Sequence, residues 1–128
     1  MSSERALGTF VVRATAAEAE AFRRETAGTG QGVPFTFPVR WLARADFQAV
    51  AVDMIGDANW VPIHESQSFD YRASLAPDTD YEMAVIMKRE IEPSRIVLVA
   101  QIGVPDGASH LTMEMILRII PLPSEQAA

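Results

Sequence analysis

Hydrophobic and polar positions follow two different periods along this chain. Near the N-terminus, "GTFVVRA" (8–14) is rich in β-branched residues and reads as a strand. Thr15 followed by Glu18 is a capping-box pattern, and Ala16, Ala19 and Phe22 can share one helical face, so a short helix is expected over about 16–26, stopped near Gly28. The stretch "ETAGTGQGVPFTFP" (25–38) reads as loop. In "PVRWLARADFQAVAVDMIG" (38–56), Pro38 suits a first helical turn and Gly56 a C-terminal cap. Apolar residues there fall on most sides, which predicts a largely enveloped helix, with Asp46 able to restart it after a break near Arg44.

After the turn-rich "DANWVP" the period changes to two. Strands are expected at 64–74, 80–90, 94–104 and 110–120, with turns at "EPS" and "PDGAS". The first places Glu65, Gln67, Phe69 and Tyr71 on one side. The second does so for Tyr81, Met83, Val85 and Met87, and the last for Leu111, Met113, Met115, Leu117 and Ile119. Such serial strands form one antiparallel sheet, and the 38–56 helix is the cover available for its apolar face. A curved five-stranded antiparallel sheet wrapped around a central helix, with a short extra helix after the first strand, is an α+β hot-dog arrangement.

Composition narrows the chemistry. With 128 residues and 48% hydrophobic content, residues 1–128 form a single domain with a core that needs no staples. Cysteine is absent, which excludes disulfides, thiol catalysis and Cys-zinc sites; the two histidines, His64 and His110, have no metal-ligand spacing. A net charge of −6 with scattered Lys and Arg disfavours nucleic acid. There is no apolar signal core, and the longest apolar runs are too short to span a bilayer, so no membrane partner and a cytoplasmic location are expected.

Three segments carry a resemblance to a known family: "GVPFTFP" leading into the central helix, "IHESQSFDYRASLAPDTDY", and the closing hairpin around "PDGASHLTMEMILRII". In order along nearly the whole chain, they resemble MaoC-like hydratases, in particular the N-terminal half-domain of the FAS1-like dehydratase type. The resemblance implies an acyl thioester carried on coenzyme A or acyl carrier protein, no other cofactor, and a homodimer or a heterodimer with another hot-dog chain. Active members carry a G-D-x-N-P-x-H loop before the central helix, whose Asp and His activate water while backbone N–H groups hold the thioester oxygen.

Here that place reads Gly28-Thr29-Gly30-Gln31-Gly32-Val33-Pro34, without Asp or His. The usual dyad is therefore missing, as in relatives where one half shapes the acyl tunnel and its partner does the chemistry. Gly30 and Gly32 would let backbone approach the pantetheine arm, or form a plain connector; a nucleotide loop lacks its preceding strand and its Gly-Lys-Ser/Thr. Pro34, Phe35, Phe37, Val39 and Arg40 would line the tunnel mouth, or pack the helix entry. For acid–base work the candidates are His64 and Asp57, in "GDANWVPIH", where a simple turn is the alternative. Two other functions stay open: a thioesterase using a helix carboxylate, Asp46 or Asp53, and a non-catalytic partner subunit of a hydratase.

Overall fold

The computed structural model describes residues 2–26 and 32–122. Strand β1 (Ser2–Val12) leads to helix α1 (Ala16–Glu25), then a 3-10 helix (Phe37–Leu42) and helix α2 (Ala45–Ile55). Strands β2 (Trp60–Tyr71), β3 (Tyr81–Glu90), β4 (Arg95–Gly103) and β5 (Ser109–Pro121) complete the chain.

Local chemistry explains the helices. Thr15 Oγ1 accepts from the Glu18 N–H and the Glu18 carboxylate accepts from the Thr15 N–H, both at 3.0 Å, so the expected capping box is present. The 38–56 segment is two helices instead of one, and the break falls at Arg44, as the restart at Asp46 anticipated. Arg44 is extended (φ −112°, ψ 139°), lays its guanidinium 4.2 Å over the Phe10 ring and pairs bidentately with Asp46. Gly56 ends α2 with φ 72°, a left-handed conformation that disfavours a side chain.

All five strands form one antiparallel sheet in the order β1-β3-β4-β5-β2. Only β3, β4 and β5 run as a meander. The segment between β2 and β3 crosses the end of the sheet, which leaves β2 as an edge beside β5. The strands also begin earlier than expected at β1 and β2: Ser2 to Ala6 already pair with β3, and Trp60 pairs with Pro121.

Register assigns the inner face. One row across the sheet is Arg5, Met87, Leu98, Met115 and Gln67; the next is Met113 with Phe69; on the other side lies Leu117 with His64. His64 and Gln67 are an odd number of residues apart, so strict alternation would put them on opposite faces. A bulge between His64 and Ser66 absorbs the extra residue. Glu65 is thereby turned away from Gln67, contrary to the expected alternation, and pairs with Arg118 at 2.5 Å.

Met83, Met87, Ile96, Ile102, Leu111 and Met113 form the centre of the core. Helix α2 buries Phe47 and Ala51 against it, and its Asp53 is tied to Arg5 of β1 at 2.7 Å. Its other side is open: Val52 is 62% exposed. The expected envelopment is therefore one-sided within a single chain, because five strands cover one face of a helix and leave the opposite face bare. Among the described residues, no helix is long and apolar enough to cross a membrane.

Candidate functional site

Between α2, the 3-10 helix and the inner face of β2 to β5 lies a cavity of about 640 Å³. Its floor is Met87, Leu98 and Met115, neighbours in one cross-strand row, with Leu117 beside them. Its roof is Phe47, Gln48, Ala51 and Val52 of α2, together with Val39, Arg40, Leu42 and Ala43. Pro62 and His64 of the edge strand close the side. Met87 and Leu98 are buried, whereas His64, Arg40 and Val52 are exposed, so the cavity runs from an apolar interior to a rim carrying one imidazole and one guanidinium.

Arg40 is poised rather than locked. Its guanidinium lies 5.4 Å from the centroids of both Phe22 and Phe37, which support it from below, and its ion pair with Glu25 is as long as 4.0 Å. Half of its side chain faces solvent. A cation so placed can meet an anionic group entering the rim.

Of the residues singled out from the sequence, His64, Val39 and Arg40 are brought together around this cavity. Asp57 is not: it sits in the turn before β2, where its carboxylate accepts from the Asn59 N–H at 2.8 Å. Phe37 is buried in the core, Phe35 is 62% exposed, and Pro34 is half-buried; none of the three lines the cavity. Phe35 serves instead as the acceptor of the Tyr71 hydroxyl at 2.7 Å. Gly32 has φ 81° and its carbonyl accepts from Arg23 of α1. Gly28 and Gly30 lie outside the described residues.

The two helix carboxylates also stay off the cavity wall, Asp46 held by Arg44 and Asp53 by Arg5. Hydrogen bonding from Arg44, chiefly, holds the Asp46 carboxyl below its usual range. His110 is half-buried, edge-on to Tyr81 at 5.4 Å.

Sequence reasoning passed over Gln48, Ala51 and Val52 as lining residues. Their signal was present: they share one helical face by i, i+3, i+4 spacing. Gln67, grouped from the sequence with Phe69 and Tyr71, does not line the cavity but lies beside its floor, across from Met115.

No protein-family model matches the sequence, and no curated protein matches it. Solved structures do. A hot-dog-like protein from Thermanaerovibrio acidaminovorans superposes with a TM-score of 0.61 at 14% identity, covering 93% of this chain and 82% of the other. This is the hot-dog fold. Two further solved structures superpose as well: the HadBC 3R-hydroxyacyl-ACP dehydratase complex from Mycobacterium tuberculosis and a thioesterase superfamily member from Thermus thermophilus. The first has a TM-score of 0.60 at 14% identity over 88% of this chain and 96% of that one. The second has 0.55 at 16% identity over 93% and 82%. At such identities the shared property is architecture.

Proposed function

We propose that this hot-dog chain binds an acyl thioester, carried on coenzyme A or acyl carrier protein, with the acyl chain in the cavity under α2. The observation that carries the reading is the cavity itself: an apolar interior of about 640 Å³ with His64 and Arg40 at its rim. Pockets of this size and lining suit apolar ligands held by a few polar groups. The floor spans two strand-to-strand steps, from β5 to β3, or about 10 Å at about 4.8 Å each. An extended chain advances about 1.2 Å per bond, so a chain of about eight to ten carbons fills it. Arg40 takes an anionic part of the carrier, and His64 is the acid–base group nearest the thioester end.

The chain is related in this reading to enoyl hydratases and 3-hydroxyacyl dehydratases, but the segment before its central helix holds neither Asp nor His. It acts as a dimer, with itself or with another hot-dog chain that supplies what is missing. The bare side of α2 and the exposed Trp60 and Ile63 on the β2 edge support such pairing.

Calorimetric titration with decanoyl-CoA, beside free CoA, tests the binding. Saturable binding that depends on the acyl group, weakened by Arg40→Ala, is expected; equal binding of CoA alone sinks the reading. Hydration and thioester hydrolysis assays on the same sample should both be near background for the chain alone.

A further inference from the structure

The floor row of the cavity does not end at Met115. Its next member, directly across the β2–β5 ladder, is Gln67. Both polar atoms of that carboxamide, Nε2 and Oε1, are sealed from solvent and have no hydrogen-bond partner among the described residues.

Other polar groups packed against the sheet's inner face are engaged. The Tyr71 hydroxyl donates to the Phe35 carbonyl, the Tyr81 hydroxyl accepts from the Ala76 N–H, and Arg5 pairs with Asp53. Gln67 is the exception, opposite Met115 and next along the face from Phe69. A buried amide left unpaired costs stability, and a methionine of similar shape would remove that cost. Polar groups kept at such a cost belong where a function uses them.

We propose that Gln67 is a specificity-determining residue whose carboxamide recognises a hydroxyl on the bound acyl chain, so that this site prefers hydroxyacyl over saturated acyl thioesters. The inference rests on the acyl-thioester reading and deepens it. A carboxamide offers one donor side and one acceptor side, and a hydroxyl group can satisfy either or both. A carbonyl meets only Nε2, and a methylene meets neither. A carboxylate is excluded by the surroundings, since Met115 and Phe69 offer no positive charge.

Placement agrees with this chemistry. Gln67 and His64 flank the bulge on the same face, so a thioester end near His64 puts the first carbons of the chain beside Met115, across from Gln67. Met115, the cross-strand partner of Gln67, lines the cavity where Gln67 itself does not; it is unbranched and half-buried, so a change of its rotamer would open the amide to the cavity. A site built to hydrogen-bond a hydroxyl discriminates against the analogue lacking it, because the buried amide is then left unpaired.

The test uses the full chain with 3-hydroxydecanoyl-CoA, decanoyl-CoA and free CoA, titrated calorimetrically against wild type and Gln67→Met. Wild type should bind the hydroxyacyl ligand about tenfold more tightly than the saturated one, the equivalent of one well-made hydrogen bond. Gln67→Met should melt at a higher temperature, and its preference should fall to about one through loss of hydroxyacyl affinity. Gln67→Asn, which keeps the amide but draws it back, guards against a misfolded variant and should show an intermediate preference. Equal affinity of wild type for the two thioesters overturns the inference alone, as does a Gln67→Met protein that keeps the preference. Failure of both thioesters to bind more tightly than free CoA overturns the acyl-thioester reading and the inference with it.

Discussion

At the residue scale, Tyr71 joins the sheet to the segment before the 3-10 helix. It donates its phenolic O–H to the Phe35 carbonyl at 2.7 Å, and burial pushes its pKa up to about 12. The folded value lies above the unfolded value of about 10, so the fold disfavours the phenolate. Stability from this group is fully present below about pH 10 and is lost as pH rises toward the folded value. Tyr71→Phe should cost about 1 kcal/mol at neutral pH and flatten the alkaline loss. Urea midpoints at neutral and alkaline pH, with an absorbance titration of the phenol, measure both effects.

At the scale of elements, the start of α1 is the most local feature of the chain and was legible from four consecutive residues. Hydrogen bonds from the Thr15 backbone, then from its hydroxyl, lower the Glu18 carboxyl pKa. The folded value is depressed, so the stabilisation exists above the unfolded carboxylate range and disappears as pH falls through the folded pKa. Thr15→Ala should cost about 1 kcal/mol at pH 7 and about as much in acid, because its hydroxyl accepts from a backbone N–H, whereas the cost of Glu18→Gln should shrink as pH falls; denaturation curves across that range decide it. The four C-terminal strands were legible too, because side-chain alternation is a property of each strand alone. The edge position of β2 was not, since it depends on which strand β5 meets across the sheet. The bulge at Glu65 was equally hidden: regular alternation grouped Glu65 with Gln67 and placed His64 opposite, and only pairing with β5 shows that His64 and Gln67 share a face. Of the residues around the cavity, Val39 and Arg40 were named through the resemblance and His64 as an acid–base candidate. The cavity wall on α2 was missed because that helix had been read as enveloped.

At the scale of the molecule, the apolar sequence of α2 exceeds what one sheet can cover. Val52, at the cavity, is 62% exposed, and Ile63 at 48% and Trp60 at 39% lie on the edge strand β2, whose outer side is unpaired among the described residues. A second hot-dog chain on this side would cover these residues and complete the cavity rim. Ile63→Asp, which puts a charge on the edge, should shift the protein to monomer in sedimentation and weaken decanoyl-CoA binding at least about tenfold. Wild-type protein should melt at a temperature that rises with its concentration. A monomer at high concentration with a fixed melting temperature would exclude this pairing.

The bulge in β2 has a consequence for motion. By interrupting the ladder it divides one edge strand into two shorter runs, Trp60–His64 and Ser66–Tyr71. The second run is anchored by the Tyr71 hydroxyl, whereas the first carries only Pro62 and His64 over the cavity. The two should therefore come loose separately. Amide hydrogen exchange is expected to be faster in the first run than in the second, with ligand slowing the first. In that event the side wall of the cavity is also its door, and Glu65 is the hinge.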